Sequence, residues 1–349
     1  MRRRLKQIIK SGLHFIKWGV VAPGAVLVGR LRSRSQTVQA WPEGEARLGP
    51  RVVLFMHFDG RGLVRSQLLD YIREFKDNGR DVVFITNAGK LQPHSFEALK
   101  GLCVQVLIRR NIGYDFGAWA DTLDRLGLPR ADTEEVIFAN DSMFGPLLPL
   151  GDVLRRLDYG KADIWGLTES WQLRYHLQSF FVAFGPRALR HERFRRFWDS
   201  VRPVPMKSYI VKTYEIGLTQ AMLAGGLSCR ALWPYEPLLR MVNQEELEKL
   251  IEMEAAELNR TDPVHVTRKL QILRIRDGAA RRVALNPTSD LWRQLLLAGF
   301  PFIKRELLRD NPAEVHDVGD WAEVVRETLG ADPEPIRQDL RLMLKGGAP

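Results

Sequence analysis

From residue 51 onward, short apolar runs of strand length alternate with longer segments whose apolar positions recur every three or four residues. "RVVLFMHF" is β-branched and aromatic, and predicts a strand ending at His57, Phe58 and Asp59. "GLVRSQLLDYIREFKDNG" follows with helical spacing and stops at Gly79. "DVVFITN" predicts a second strand ending at Thr86 and Asn87, and "SFEALKGL" a short helix with a serine cap. "CVQVLIRR" and "EVIFAND" predict the third and fourth strands, "KADIWGLTES" and "LQSFFVAFG" the fifth and sixth. Strands separated by helical segments of this length predict an α/β fold with a Rossmann-type, mostly parallel sheet flanked by helices.

In such sheets ligands bind beyond the carboxyl ends of the strands. Polar residues gather there: His57 and Asp59, Thr86 and Asn87, Arg110 and Asn111, Asn140 and Asp141, Thr168 and Glu169. The coincidence over successive strands says more than any one motif.

The pattern changes at both ends. Residues 1–48 read as a basic amphipathic segment and linker, 49–242 as the sheet domain, and 243–349 as a mostly helical region that starts with the charged helix "NQEELEKLIEMEAAELN". The net charge of +10 is concentrated at the start, where the first acidic residue is Glu43. Leu5, Ile9, Leu13 and Ile16 recur at helical spacing among Arg2, Lys6, Lys10 and Lys17. The apolar run "WGVVAPGAVLVG" is short for a bilayer span and is broken by Pro23 and Gly24. No small-residue cleavage site follows it, as a signal peptide requires. The segment is expected to contact an anionic membrane surface, each basic residue contributing about 1 kcal/mol; a solvated helix is the plain alternative. Cys103 and Cys229 lie in apolar runs and fit core thiols of a reducing compartment.

Three stretches carry chemistry. In "RRNIGYDFGAW", Asn111 and Gly113 allow a sharp turn after a strand, Arg109 and Arg110 bring charge, and a helix starting near Asp115, after Tyr114, has N–H groups that suit an anion. Asp115 is equally a helix cap. The stretch lacks the Gly-Lys-Ser/Thr of a nucleotide-triphosphate loop, and the first strand lacks the dinucleotide glycine pattern. In "EVIFANDSMFGPLLPL" a strand delivers Asn140, Asp141 and Ser142 together, as oxygen ligands for a divalent ion on a diphosphate or as an Asx turn. Glu169 in "WGLTES" is a candidate base beside Trp171, and His176 and Gln178 stand between two such segments. No nucleophile elbow and no zinc spacing occurs.

Together "RRNIGYDFGAW", "FANDSMFGPL", "WGLTES", "HLQSFFVAFGP" and "NPTSDLWRQLLLAGFPFIKRELLRDNP" resemble the rhamnan synthesis protein F family, in order from about residue 50 to 312. The resemblance implies a GT-A-like nucleotide-sugar-binding domain and a glycosyltransferase, here an inverting rhamnosyltransferase. It implies a dTDP-L-rhamnose donor and a lipid-linked glycan acceptor at the cytoplasmic face of the inner membrane, where the protein is peripheral. "NDS" takes the place of the family's acidic triplet, so Asp141 is the expected metal ligand for Mg²⁺ or Mn²⁺, with Arg109 or Arg110 the alternative neutraliser of the leaving group. Asp59, Thr86 and Asn87 are expected at the nucleobase and ribose, and Asp115 at the sugar or ribose. Glu169 is expected to be the base, with Asp141 and Asp115 as its rivals. Trp119 is expected in the core, Trp171 and Tyr175 in the core or stacked on a sugar ring. Two other readings stand beside this one: a catalytically silent scaffold of a glycan-assembly complex, and a transferase using another nucleotide sugar. Nucleic acid is not expected as a partner, because basicity alone suggests it and leaves "NDS" and "YDFG" without a role.

Overall fold

The computed structural model describes residues 21–31, 35–44, 46–242 and 263–345. The predicted amphipathic segment up to residue 20 and the charged helix predicted over 243–259 lie outside the described residues. After helix α1 (Ala22–Leu31), the chain runs β1 (Thr37–Trp41), β2 (Arg51–His57), α2 (Ser66–Asp77), β3 (Asp81–Thr86), α3 (Pro93–Lys100), β4 (Gln105–Arg109) and α4 (Tyr114–Leu126). It continues with β5 (Glu135–Asn140), β6 (Met143–Phe144), α5 (Leu150–Arg155), β7 (Ile164–Ser170), β8 (His176–Leu177) and β9 (Phe181–Phe184). Helices α6 (Pro186–Arg190), α7 (Glu192–Ser200) and α8 (Ile216–Ala224) lead to β10 (Cys229–Trp233). The helical C-terminal region holds α9 (Pro263–Ala280), α10 (Pro287–Asp290), α11 (Trp292–Leu297), β11 (Ile303–Lys304), α12 (Arg305–Arg309), α13 (Trp321–Leu329) and α14 (Glu334–Lys345). No described helix is long and apolar enough to cross a membrane.

The strands form one mixed sheet in the order β1-β4-β3-β2-β5-β9-β7-β10, with β8 on β7. β4, β3, β2 and β5 are parallel neighbours, as are β7 and β10. β9 runs antiparallel between β5 and β7, so the carboxyl ends of β5 and β7 still share one edge with β2, β3 and β4. All six predicted strands are present. Their continuous apolar runs follow from burial on both faces; in β2 every residue after Arg51 is buried. β1 lies in the stretch expected to be linker. It covers the β4 edge in antiparallel register, with an irregularity between Thr37 and Gln39.

Two cores sandwich the sheet. Phe55, Phe84, Val106 and Ile137 face α2 together with Leu291, Leu295, Phe300 and Phe302 of the C-terminal region. Leu54, Ile85, Leu107 and Phe138 face α4 and α7 through Phe116, Trp119, Leu123 and Trp198. Trp119 is core, as expected, and its Nε1 donates to the Leu54 carbonyl at 3.1 Å. The C-terminal helices therefore complete one face of the sheet. A short ladder, Phe144 opposite Ile303 and Met143 opposite Lys304, then carries the start of α12 to the end of β5.

Candidate functional site

The turn from β4 into α4 is held from inside. Arg109 points from the last position of β4 into the α4 layer and is fully buried. Its Nε donates to Asp121 Oδ2 at 2.8 Å, its Nη1 to Asn87 Oδ1 at 2.6 Å, and its Nη2 to the Gly117 carbonyl at 3.2 Å. Asn87 Nδ2 reaches the Tyr114 carbonyl at 3.3 Å. Gly113 has φ +85°, and a Cβ there would lie 2.9 Å from Pro203 Cα and 3.1 Å from Gly117 Cα, so only glycine fits. This clamp directs the first turn of α4 over the carboxyl edge of the sheet.

Asp115 in that turn accepts a hydrogen bond from Asn140 Nδ2 at 2.8 Å. The Asn140 Oδ1 accepts from the N–H and hydroxyl of Ser142, at 3.0 and 2.6 Å, which closes the Asx turn at "NDS". Burial pushes the Asp115 carboxyl up to about 7, with the charges of Asp141 and Glu215 adding to it against the Asn140 hydrogen bond and Lys207. Asp141, next in the turn, holds Arg305: Nη1 is 2.8 Å from Asp141 Oδ2 and 2.5 Å from its carbonyl oxygen. The Phe58 N–H approaches the same Oδ2 at 3.4 Å. Glu215 takes the N–H and hydroxyl of Ser179 at 3.2 and 2.9 Å.

On the other face of β2, the buried His57 ring pairs through Nδ1 with Thr86 Oγ1 at 3.0 Å. Burial lowers its affinity for a proton, Arg305 adds to the effect, and Asp141 and Asp59 oppose it. Burial alone would raise the Asp59 carboxyl. The Arg61 N–H at 2.8 Å, the Arg61 guanidinium and Arg65 outweigh it and hold the group below the usual range.

The structure thus brings Asp115, Asn140, Asp141 and Ser142 together, with Arg110, Asn111 and Tyr114 exposed at the mouth of the same turn. Asp59 stands on the loop beyond β2 at the same edge. Other expectations are corrected. Arg109 is sealed inside and already paired, so it cannot reach a diphosphate. Thr86 and Asn87 are buried too. Strand-end polar groups between two apolar layers must pair with each other, and these two position His57 and Arg109 in place of a nucleobase. Glu169 has both oxygens engaged, Oε2 by the Tyr175 hydroxyl at 3.1 Å and Oε1 by the Tyr235 N–H at 3.0 Å. It sits in register with the core-facing Trp165 and Leu167, opposite the α4 side that carries Asp115. Gln178 clamps the C-terminal region: its Oε1 takes the Thr168 hydroxyl at 2.7 Å and its Nε2 reaches Asn286 Oδ1 at 3.2 Å. His176 is buried, with Nδ1 on the Arg174 carbonyl at 2.8 Å.

The described residues at this edge do not fit a divalent metal. Among the described residues no group of three or more His, Cys, Asp and Glu side chains is placed to hold one. Asp141, the expected ligand, already faces a guanidinium, and Asn140 has its oxygen in the Asx turn. Arg305 supplies the positive charge beside Asp141. Sequence reasoning misses it, because "FPFIKRELL" lies in the C-terminal region, far from the strand-end polar residues, and the contact spans 164 positions. His57 was noted at a strand end without a role, and Glu215 lies in a helical stretch that carries no motif.

The profile of the family described as rhamnan synthesis protein F matches residues 82–245, the family that the sequence resembles. The match takes in Asp115, Asn140, Asp141 and Glu169 and leaves β2 and Arg305 outside. Virulence protein VirA of Vibrio anguillarum is 31% identical over 216 residues, which cover 60% of this chain and 64% of that protein. Protein y4gN of Sinorhizobium fredii, itself uncharacterised, is 26% identical over 212 residues, covering 60% and 55%. The chain therefore spans less than two thirds of the length of these relatives. Among solved structures, a protein described as a candidate nucleotide-diphospho-sugar transferase from Desulfovibrio desulfuricans G20 overlaps 68% of this chain and 99% of its own, at 14% identity and a TM-score of 0.32. A cytidylyltransferase from Leptospira borgpetersenii overlaps 54% and 77%, at 11% identity and a TM-score of 0.31.

Proposed function

We propose, taking the match to the rhamnan synthesis protein F family as premise, that the chain is a GT-A-like glycosyltransferase of bacterial surface-polysaccharide synthesis. One juxtaposition supports this best. Asp115, with its carboxyl pushed up to about 7, stands beside Asp141, which holds Arg305 at 2.8 Å. Sugar transfer requires a base poised near the working pH and a cation at the leaving group.

In the proposed step the acceptor hydroxyl passes its proton to Asp115 while its oxygen bonds to the anomeric carbon of the sugar. The bond from that carbon to the diphosphate breaks on the opposite side, inverting the carbon. Arg305 meets the negative charge that grows on the leaving oxygens, and Asp141 holds the guanidinium in place. Arg110 and Asn111, exposed at the turn, supply further polar contacts to the donor. Asp115 replaces Glu169 as the proposed base, because its carboxylate lies beside Asn140 and Asp141 whereas Glu169 is tied to Tyr175 and Tyr235. Trp171 is exposed beside Tyr175, ring centroids 5.0 Å apart, and offers an apolar platform to an acceptor sugar. The proposed donor is dTDP-L-rhamnose and the acceptor a lipid-linked glycan at the cytoplasmic face of the inner membrane, approached through the basic N-terminal segment.

The test is release of nucleoside diphosphate from dTDP-L-rhamnose, UDP-glucose and GDP-fucose in the presence of extracted lipid-linked glycan. Acceptor-dependent release of dTDP, lost in Asp115→Asn, is expected. Release from another donor keeps the transferase and replaces the sugar. A folded protein that releases nothing from any donor refutes the reading.

A further inference from the structure

Beside the Asp141–Arg305 pair, on the α2 side of the sheet, lies a recess walled in part by His57, Asp59, Arg65, Gln67, Arg305 and Asp339. Three elements distant in sequence meet there: the start of α2, the start of α12, and α14, which contributes Asp339. The space inside is about 20 Å³, room for one water and far too little for a nucleotide.

Three of its polar atoms lack hydrogen-bond partners. The Arg65 side chain is only 10% exposed, yet its buried Nε and Nη2 have no hydrogen-bond acceptor, and Asp59 Oδ2 lies 3.6 Å away. Gln67 Oε1 is buried without a donor. Arg305 gives Nη1 to Asp141, while its Nη2 meets the Met343 sulfur at 4.0 Å. Asp339 feels both guanidiniums as charges, and among the described residues it hydrogen-bonds to neither. A buried guanidinium N–H without an acceptor is destabilising, so two of them on one wall point to a missing oxygen ligand.

We propose that this recess is a second anion site, next to the proposed donor site and sharing Arg305 with it, that takes one phosphate group between Arg65 and the Arg305 Nη2, with the Asp339 side chain keeping the place when no phosphate is bound. A tetrahedral phosphate offers oxygens to both Arg65 donors at once, and its P–OH can donate to Gln67 Oε1. The Asp339 carboxylate, fixed on a helix whose Ile336 is buried in a separate small core, has neither the reach nor the donor. Phosphate enters as the Asp339 side chain rotates out of the recess, its helix staying in place. Free phosphate and a phosphate carried on a lipid or sugar present the same oxygens.

The full-length protein is titrated with inorganic phosphate, first alone and then with dTDP saturating the donor cleft. The titration without nucleotide reads this site even if dTDP fails to bind, so the two readings stand or fall separately. Phosphate is expected to bind without nucleotide, and more weakly with dTDP present because the two anions share Arg305. Arg65→Gln is expected to weaken it about tenfold, the loss of a charge-assisted hydrogen bond. Asp339→Asn is expected to strengthen it roughly threefold by removing a facing like charge. A gain of affinity separates the site from mere damage to the fold. Octyl phosphate competing with inorganic phosphate identifies a carrier-borne ligand, and failure to compete identifies free phosphate; either outcome supports the site. No phosphate binding, or binding unchanged in both variants, overturns it.

Discussion

A carboxyl group that titrates near pH 7 is one that the folded chain tolerates because of its position, and Asp115 is such a group. Unfolded, it loses its proton near 3.8; folded, near 7. Between those values the folded chain holds a proton that the unfolded chain lacks. Its contribution is therefore favourable in acid, declines as pH rises from about 4 to 7, and is level above that. Asp115→Asn, which keeps an acceptor for Asn140, is expected to melt at a higher temperature than the wild type at pH 8 and at the same temperature at pH 4. The gap is on the order of a few kcal/mol. The same variant is expected to lose about 10²–10⁴-fold in turnover, and wild-type turnover to rise with pH to a plateau above about 7. A variant destabilised at pH 8 would contradict this assignment. Asp115 was legible in the sequence because an acid at the mouth of a helix beyond a strand has few roles. Which acid serves as base was not legible, since burial and the neighbouring Asp141 and Glu215 set the proton affinity, and Glu215 is 100 positions away from it in the chain.

At the scale of elements, the β4–α4 turn owes its shape to a buried ion pair and one glycine. Removing one partner leaves the other charge stranded, so Asp121→Ala is expected to cost about 3–5 kcal/mol in urea unfolding. Gly113→Ala meets both a left-handed φ and the Pro203 backbone, and is expected to cost more than about 1 kcal/mol. If either variant unfolds like the wild type, the clamp does not govern the turn. Strands β2 to β5 were legible because burial on both faces writes an unbroken apolar run. β1, β6, β10 and β11 were not, being short or at edges where the pattern is weak. Arg109 and Arg110 look alike in sequence, but side chains alternate along a strand. Arg109 shares the face of Leu107 and enters the core, whereas Arg110 follows the strand and stays outside.

At the scale of the whole molecule, the C-terminal region is both a core layer and part of the site. Phe300 and Phe302 pack on the sheet, and the β6–β11 ladder then brings Arg305 to Asp141. The buried Arg293, paired with Asp317 at 3.0 Å and Asp320 at 2.6 Å, ties α11 to the segment before α13. Periodicity showed that this region is helical. It could not show which residue reaches Asp141, because that depends on a two-residue ladder between distant segments. Arg305→Gln is expected to weaken nucleoside-diphosphate binding about tenfold. The measurement that bears most directly on the central claim is a calorimetric titration of the wild type and Asp141→Ala with dTDP, UDP and GDP, each with and without Mn²⁺. The account predicts that one nucleoside diphosphate, dTDP foremost, binds without metal and binds at least about tenfold more weakly once Asp141 no longer holds Arg305. Absence of binding by every nucleotide, or equal binding by Asp141→Ala, would contradict it.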